Sequence, residues 1–115
     1  MKKIDEEYIK NLVGKKYFEE GDNLEICWKF CKEVREKLGL KTPKDKQKFE
    51  KTEEPQKGDI VLFKYGQLWH SGVVWPDGLH FIHAKPEAPN KYIVRKERLT
   101  IYPWKFIVEG FYCYE

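Results

Sequence analysis

Apolar side chains recur at Cys27, Phe30, Cys31, Val34 and Leu38, with charged ones at Glu25, Lys29, Lys32, Glu33 and Glu36 between them. The first set has the i, i+3, i+4, i+7 spacing of a helix with one buried face, and this helix is the main element predicted for the first half of the chain. Asp22 and Glu25 stand at capping-box spacing, and Gly39 supplies the left-handed residue that commonly ends a helix. Upstream, Ile4, Tyr8, Ile9, Leu12 and Val13 fall on one face of a shorter helix that stops at Gly14. The stretch from Gly14 to Gly21, with Tyr17 and Phe18 inside it, reads as a loop. Residues 41–57 turn to Lys, Glu, Gln and Thr with Pro43 and Pro55, and Phe49 is their only aromatic. They are expected to form a solvated surface loop with room for one helical turn.

After Gly58 the pattern is that of strands. Residues 59–63 are a short, almost wholly apolar run entered from Pro55 and Gly58. Residues 68–75 form a second, closed by the turn Pro76-Asp77-Gly78, and residues 79–83 a third, its hairpin partner. Residues 92–95 and a long run at 106–114 complete the set. Helices first and strands afterwards predict an α+β domain, its N-terminal helices packed on one face of an antiparallel sheet of about five strands.

Composition narrows the classes. A chain of 115 residues with 41% hydrophobic and 16% aromatic content is expected to fold as one domain, residues 1–115, with a real core. Its 22 basic and 19 acidic residues leave a net charge of only +3, not the basic footprint of a dedicated nucleic-acid binder. A weaker alternative, nucleic-acid binding through residues 41–57 and surface aromatics, predicts retention on DNA that fades steeply with salt. Three cysteines without a C-x-x-C pair cannot all be joined within one chain, so at least one remains a thiol, which suits a reducing compartment. The first residues lack the apolar run of a secretory leader, and synthesis in the cytoplasm is expected, with any work at a cell wall needing phage or another delivery route.

The candidate chemistry centres on Cys27. In the first turn or two of its helix, backbone N–H groups and the helix dipole favour a thiolate. A cysteine nucleophile needs a base and a group to orient that base, and the chain has His70, His80 and His83. His70 and His83 stand in paired strands that bring them together, whereas alternation turns His80 to the other face from His83. A zinc site of Cys27, Cys31, His70 and His83 is the competing constellation. Cys31, Cys113 and Trp104 read as core.

Taken in order, Gly14-Lys15-Lys16-Tyr17, Cys27-Trp28, Gly58-Asp59-Ile60-Val61-Leu62-Phe63, His70-Ser71-Gly72-Val73-Val74 and Phe81-Ile82-His83-Ala84 carry a resemblance, closed by Trp104 and Gly110-Phe111-Tyr112. From Tyr17 to the C-terminus the chain resembles the NlpC-type cysteine peptidases, bacterial and phage enzymes of compact papain-like fold that cut peptidoglycan peptides. By position, the resemblance implies Cys27 as nucleophile, His70 as general base, His83 as the orienting third member, and Tyr17 as a hydroxyl that positions the site or stabilises the oxyanion. It implies an amide bond of a peptidoglycan stem peptide as substrate, no cofactor, and a monomer that engages neither nucleic acid nor membrane. Where the family has Asp before the cysteine and Ser-Gly after it, this chain has Ile26 and Trp28-Lys29, and Asp22 or Glu25 is expected to take over the capping. The Cys-Trp pair is similar to variants linked to phage tails. The alternative implied is a catalytically silent NlpC-like module with a structural or wall-binding role and phage-tail partners.

Overall fold

The computed structural model describes residues 6–17, 23–42, 49–66, 68–88 and 91–113. They form α1 (Glu6–Leu12), β1 (Lys16–Tyr17), α2 (Asn23–Lys37), β2 (Glu50–Thr52), β3 (Ile60–Tyr65), β4 (Leu68–Val74), β5 (His80–Ala88), β6 (Lys91–Arg98), α3 (Trp104–Ile107) and β7 (Val108–Cys113). The strands make one antiparallel sheet of seven in the order β1-β6-β5-β4-β3-β7-β2. The class is α+β, with three helices among the described residues.

The helix that the apolar spacing predicts is α2. Cys27, Phe30, Cys31 and Val34 are fully buried, Leu38 nearly so, and Gly39 follows in the left-handed region at φ 77°. Withdrawing a side chain such as Phe30 or Val34 from water stabilises the fold by roughly 1.5–3 kcal/mol. The capping box falls partly on Asp22, and the first helix's Ile4 and the loop's Phe18 likewise lie outside the described residues. Among the described side chains of α1 only Ile9 is fully buried, with Leu12 packed against the same core, while Tyr8, and Val13 just after the helix, are exposed.

The sheet departs from the expected five strands in three ways. Lys16 and Tyr17, read as loop, pair with Ile93 and Tyr92 at one edge. Glu50, Lys51 and Thr52, read as solvated surface, pair with Cys113, Tyr112 and Phe111 at the other. Strands of two or three polar residues are too short to show alternation, and their partners alone decide them. The third departure is at the C-terminus, where Trp104–Ile107 form a helical turn and the last strand begins only at Val108.

Alternation divides the core between the sheet's two faces. Ile60, Val73, Ile82, Ala84 and Val94 face α2 and pack with Phe30, Cys31, Val34 and Leu38. Val61, Phe63, Val74 and Phe81 belong to a second cluster, closed by Leu99 and Trp104. The two N-terminal helices share one face, as expected, whereas α3, which the sequence did not predict, brings Trp104 to the side opposite α2. Arg35, one helical turn beyond Cys31, is also buried, and it bonds the Gly58 carbonyl, the Lys41 carbonyl at 2.6 Å and Thr42 Oγ1 at 3.2 Å. Those bonds tie the start of the intervening segment and the entry to β3 onto the helix.

One pairing is short. β3 and β4 run together over six residue pairs, but β4 and β5 pair only at Val73–Ile82 and Val74–Phe81. Next along β4 is Gly72, where an added Cβ would lie 2.9 Å from Phe81 Cδ2, 3.0 Å from the Ile82 carbonyl oxygen and 3.3 Å from His83 Cβ. No side chain fits there without pushing β5 away. Gly72→Ala should destabilise the protein by about 1–3 kcal/mol, the usual cost of overpacking. Urea unfolding measures it, and an unchanged midpoint would show that this approach is looser than described.

Candidate active site

The two histidines reach the site from the sheet face opposite α2. His70 of β4 lies across from Phe63 of β3, and its ring stacks at 6.0 Å on that phenyl. His83 of β5 is fully buried and meets Phe81 at 4.6 Å and Trp104 at 4.9 Å between ring centroids. Cys27 comes from α2 on the other side. Where β4–β5 pairing stops, the Cys27 thiol and the His70 ring meet through the sheet.

The contacts form a line. Cys27 Sγ lies 3.0 Å from His70 Nδ1, His70 Nε2 lies 2.6 Å from His83 Nδ1, and His83 Nε2 lies 2.6 Å from Glu97 Oε2. The sequence predicted the first three members and their order. Glu97 was not foreseen. It sits in β6 opposite Phe81, within the run Arg95-Lys96-Glu97-Arg98, which looks like an ordinary solvated strand surface. A lone acid among bases was the available sign, and a weak one.

Glu97 sets the direction of the whole line. Burial pushes its carboxyl up, but the hydrogen bond from His83, the Trp104 side-chain bond and Lys85 oppose burial, and the carboxyl is held below the ordinary carboxylate value. As a carboxylate it only accepts, so His83 Nε2 carries the proton. Burial, which dominates over Glu97, keeps the His83 ring on the neutral side of its ordinary value. A neutral His83 then offers Nδ1 as an acceptor to the His70 Nε2–H. His70 is left with its Nδ1 lone pair aimed at the thiol, the tautomer that a general base for Cys27 requires. Among the described residues no group of three or more His, Cys, Asp or Glu is arranged to hold a metal.

The thiolate expected from the helix terminus is overturned by burial. Since α2 starts at Asn23, Cys27 is its fifth residue, and its N–H belongs to the i→i−4 ladder and not to the orphan donors of the first turn. Burial pushes the thiol up to about 12, Cys31 adds to this, and the Ser71 backbone N–H opposes it. The Ala84 carbonyl oxygen, 3.7 Å from Sγ, also favours a thiol over an anion. Burial and then His83 hold His70 down at about 3. The resting pair is therefore a neutral thiol on a neutral imidazole.

Tyr17 takes a different place from the other three. It is in β1, paired with Tyr92, and its ring stands edge-on to Phe30 at 5.0 Å between centroids. His80, as alternation requires, is turned away, and its Nδ1 meets Asp77 Oδ2 at 2.6 Å in the β4–β5 turn. Trp104, read as plain core, is the floor under both histidines, with centroids 6.2 Å from His70 and 4.9 Å from His83. Cys31 Sγ contacts Ser71 Oγ at 3.5 Å, and Cys27, Cys31 and Cys113 are all thiols. No helix among the described residues is long and apolar enough to cross a membrane.

The shifts give stability a pH dependence of known sign. His70 is held below 6.5, so the unfolded chain binds its proton first, and stability falls as pH drops from 6.5 towards about 3. Cys27 is raised above 9.0, so stability falls as pH rises from 9.0 towards about 12. Thermal unfolding followed across pH should show a plateau between these limits, with a shallower acid limb in His70→Gln and a shallower alkaline limb in Cys27→Ala. Unchanged limbs in both variants would mean that neither group is desolvated by folding. No protein-family model matches the chain, and no curated protein does.

Proposed function

We propose that the protein is a cysteine hydrolase of papain-like, NlpC-type fold that cleaves an amide bond through Cys27, His70 and His83, with a peptidoglycan stem peptide as substrate. The observation that carries this reading is the unbroken line from Cys27 Sγ through His70 and His83 to Glu97, in the one tautomer that lets His70 accept the thiol proton. A neutral resting pair means that the proton moves as the bond forms. Cys27 Sγ attacks the carbonyl carbon while its proton passes to His70 Nδ1. His83 Nδ1 and, behind it, the Glu97 carboxylate stabilise the imidazolium.

Collapse of the tetrahedral adduct breaks the C–N bond, and His70 gives its proton to the departing amine. Water then attacks the thioester, with His70 taking a proton from it. Collapse of the second adduct breaks the C–S bond, and the sulfur recovers the proton from His70 as the carboxylic acid leaves. The Ser71 backbone N–H, which bonds Sγ, is a donor for the oxyanion. Tyr17 is the side-chain donor proposed with it. Cys27 is 0% exposed, so neighbouring side chains must move aside before a carbonyl reaches the sulfur.

Incubation with purified wall peptides, followed by mass spectrometry of the products, tests the reaction. Cys27→Ala and His70→Ala should each lower turnover by at least about 1,000-fold, the scale expected for loss of a nucleophile or its base. Turnover retained in Cys27→Ala would refute the assignment. Binding to sacculi by the unaltered protein with no fragment released would favour the silent wall-binding module.

A separate variant addresses Tyr17. Tyr17→Phe should lower kcat on the order of 100-fold, as for an oxyanion donor, with the unfolding midpoint unchanged. A shifted midpoint with unchanged kcat would make Tyr17 a packing residue of β1.

A further inference from the structure

Beyond Val73 and Ile82 the strands β4 and β5 part, and a cavity of 270 Å³ is bounded by both of them. Trp69 and His70 wall it from β4, Lys85 and Pro86 from β5, and Phe63 and Trp104 stand behind. Two of these walls are chain neighbours of the groups that hold the sulfur. Ser71, whose backbone N–H bonds Cys27 Sγ, follows His70, and Ala84, whose carbonyl oxygen is 3.7 Å from Sγ, precedes Lys85. Cys27 itself is fully buried and is not one of the walls. What the cavity offers an incoming molecule is His70, which is half-buried where Cys27 and His83 are fully buried.

We infer that this cavity receives the leaving group, and that Lys85 selects leaving groups that carry a carboxylate. The inference rests on the thiol acyl-transfer reading of Cys27 and His70, and adds the chemistry of the leaving group and the residue that reads it. In that reaction the bond from the carbonyl carbon to nitrogen or oxygen breaks as His70 hands its proton to the departing atom. That atom must lie within hydrogen-bond reach of His70, and the group attached to it beside the ring. The accessible part of the ring faces this cavity.

Lys85 brings a charge to it. By alternation it shares a face of β5 with His83, and its charge acts on both His83 and Glu97. The nearby carboxylates have other partners. Glu97 Oε2 is bonded by His83 Nε2 at 2.6 Å and Glu87 Oε1 by Arg95 Nε at 3.2 Å, and Lys85 Nζ forms no ion pair among the described residues. An ammonium half-buried among these walls binds an anion more strongly than one at the open surface, because less water screens the pair. A volume just under the range of small-molecule sites, about 300–1,000 Å³, has room for one residue-sized group. An amino acid leaving its acyl group meets both demands, with its nitrogen against His70 and its carboxylate on Lys85.

The esters 4-acetoxybenzoate and 4-acetoxybenzamide keep one acyl group and set a carboxylate against a carboxamide on the leaving group. Because Lys85 also acts on His83 and Glu97, the readout is the ratio of kcat/KM for the two esters and not the turnover of either. Divided by the same ratio for a small free thiol, it should exceed one in the unaltered protein. It should fall by about 10- to 100-fold in Lys85→Met, the worth of a hydrogen bond to a charged group, and be kept in Lys85→Arg. Turnover that depends on Cys27 but shows the same ratio in the unaltered protein and in Lys85→Met would overturn the role of Lys85 and leave the thiol reading standing. Neither ester turned over faster than by Cys27→Ala would remove the thiol reading and this inference with it.

Discussion

Everything in the site depends on β4 and β5 ceasing to pair beyond Val73 and Ile82. A continued ladder would place backbone hydrogen bonds where the His70 and His83 rings now meet. It would also seal α2 off from the far face of the sheet. The gap lets a helix residue on one side reach an imidazole that belongs to the other. Gly72 makes the narrow end of that gap possible, since Phe81 and the Ile82 carbonyl occupy the place a side chain would need. Trp104 then closes the far side, so the rings are held between aromatic walls and not by the strands alone.

Within that gap the chemistry is governed by which way protons point. Burial removes the option of standing charge, leaving Cys27, His70 and His83 neutral. A row of neutral donors and acceptors has two possible directions, and an amide at its end could serve either. A carboxylate permits one. Glu97, partly open to water and bonded by His83 and Trp104, is placed where an ionised group is tolerable and where its acceptor character is passed inwards by two rings. The resting protein consequently stores no separated charge between thiol and imidazole.

The sequence carried the frame well because the frame is written in side-chain period. The buried face of α2, the turn at Pro76-Asp77-Gly78 and the strand alternation that sets His83 against His80 all follow from spacing and were legible. What was not legible depends on partners far away in the chain. Lys16 and Tyr17 become a strand only because β6 offers an edge, and residues 50–52 only because β7 does. Glu97 was hidden for a related reason: its neighbours along the chain are Lys96 and Arg98, whereas its function is defined by a ring that arrives from β5. The thiolate expected at Cys27 failed on a competition of magnitudes, since burial outweighed a helix dipole whose effect fades beyond the first turn.

The two short strands also bear on how the molecule meets its own copies. An open sheet exposes a row of unsatisfied backbone groups along each border, and a long flat border invites another chain to add a strand. Here β6 and β7, the strands long enough to act as such templates, are each covered along part of their length by a partner of two or three residues. Those partners bring Lys16 on one side and Glu50 and Lys51 on the other, with Lys51 Nζ fixed to Glu109 at 3.2 Å. A border this brief and this charged is a poor template for a strand from another molecule. The polar stretch after the central helix thus has a purpose that its composition conceals: it ends the sheet.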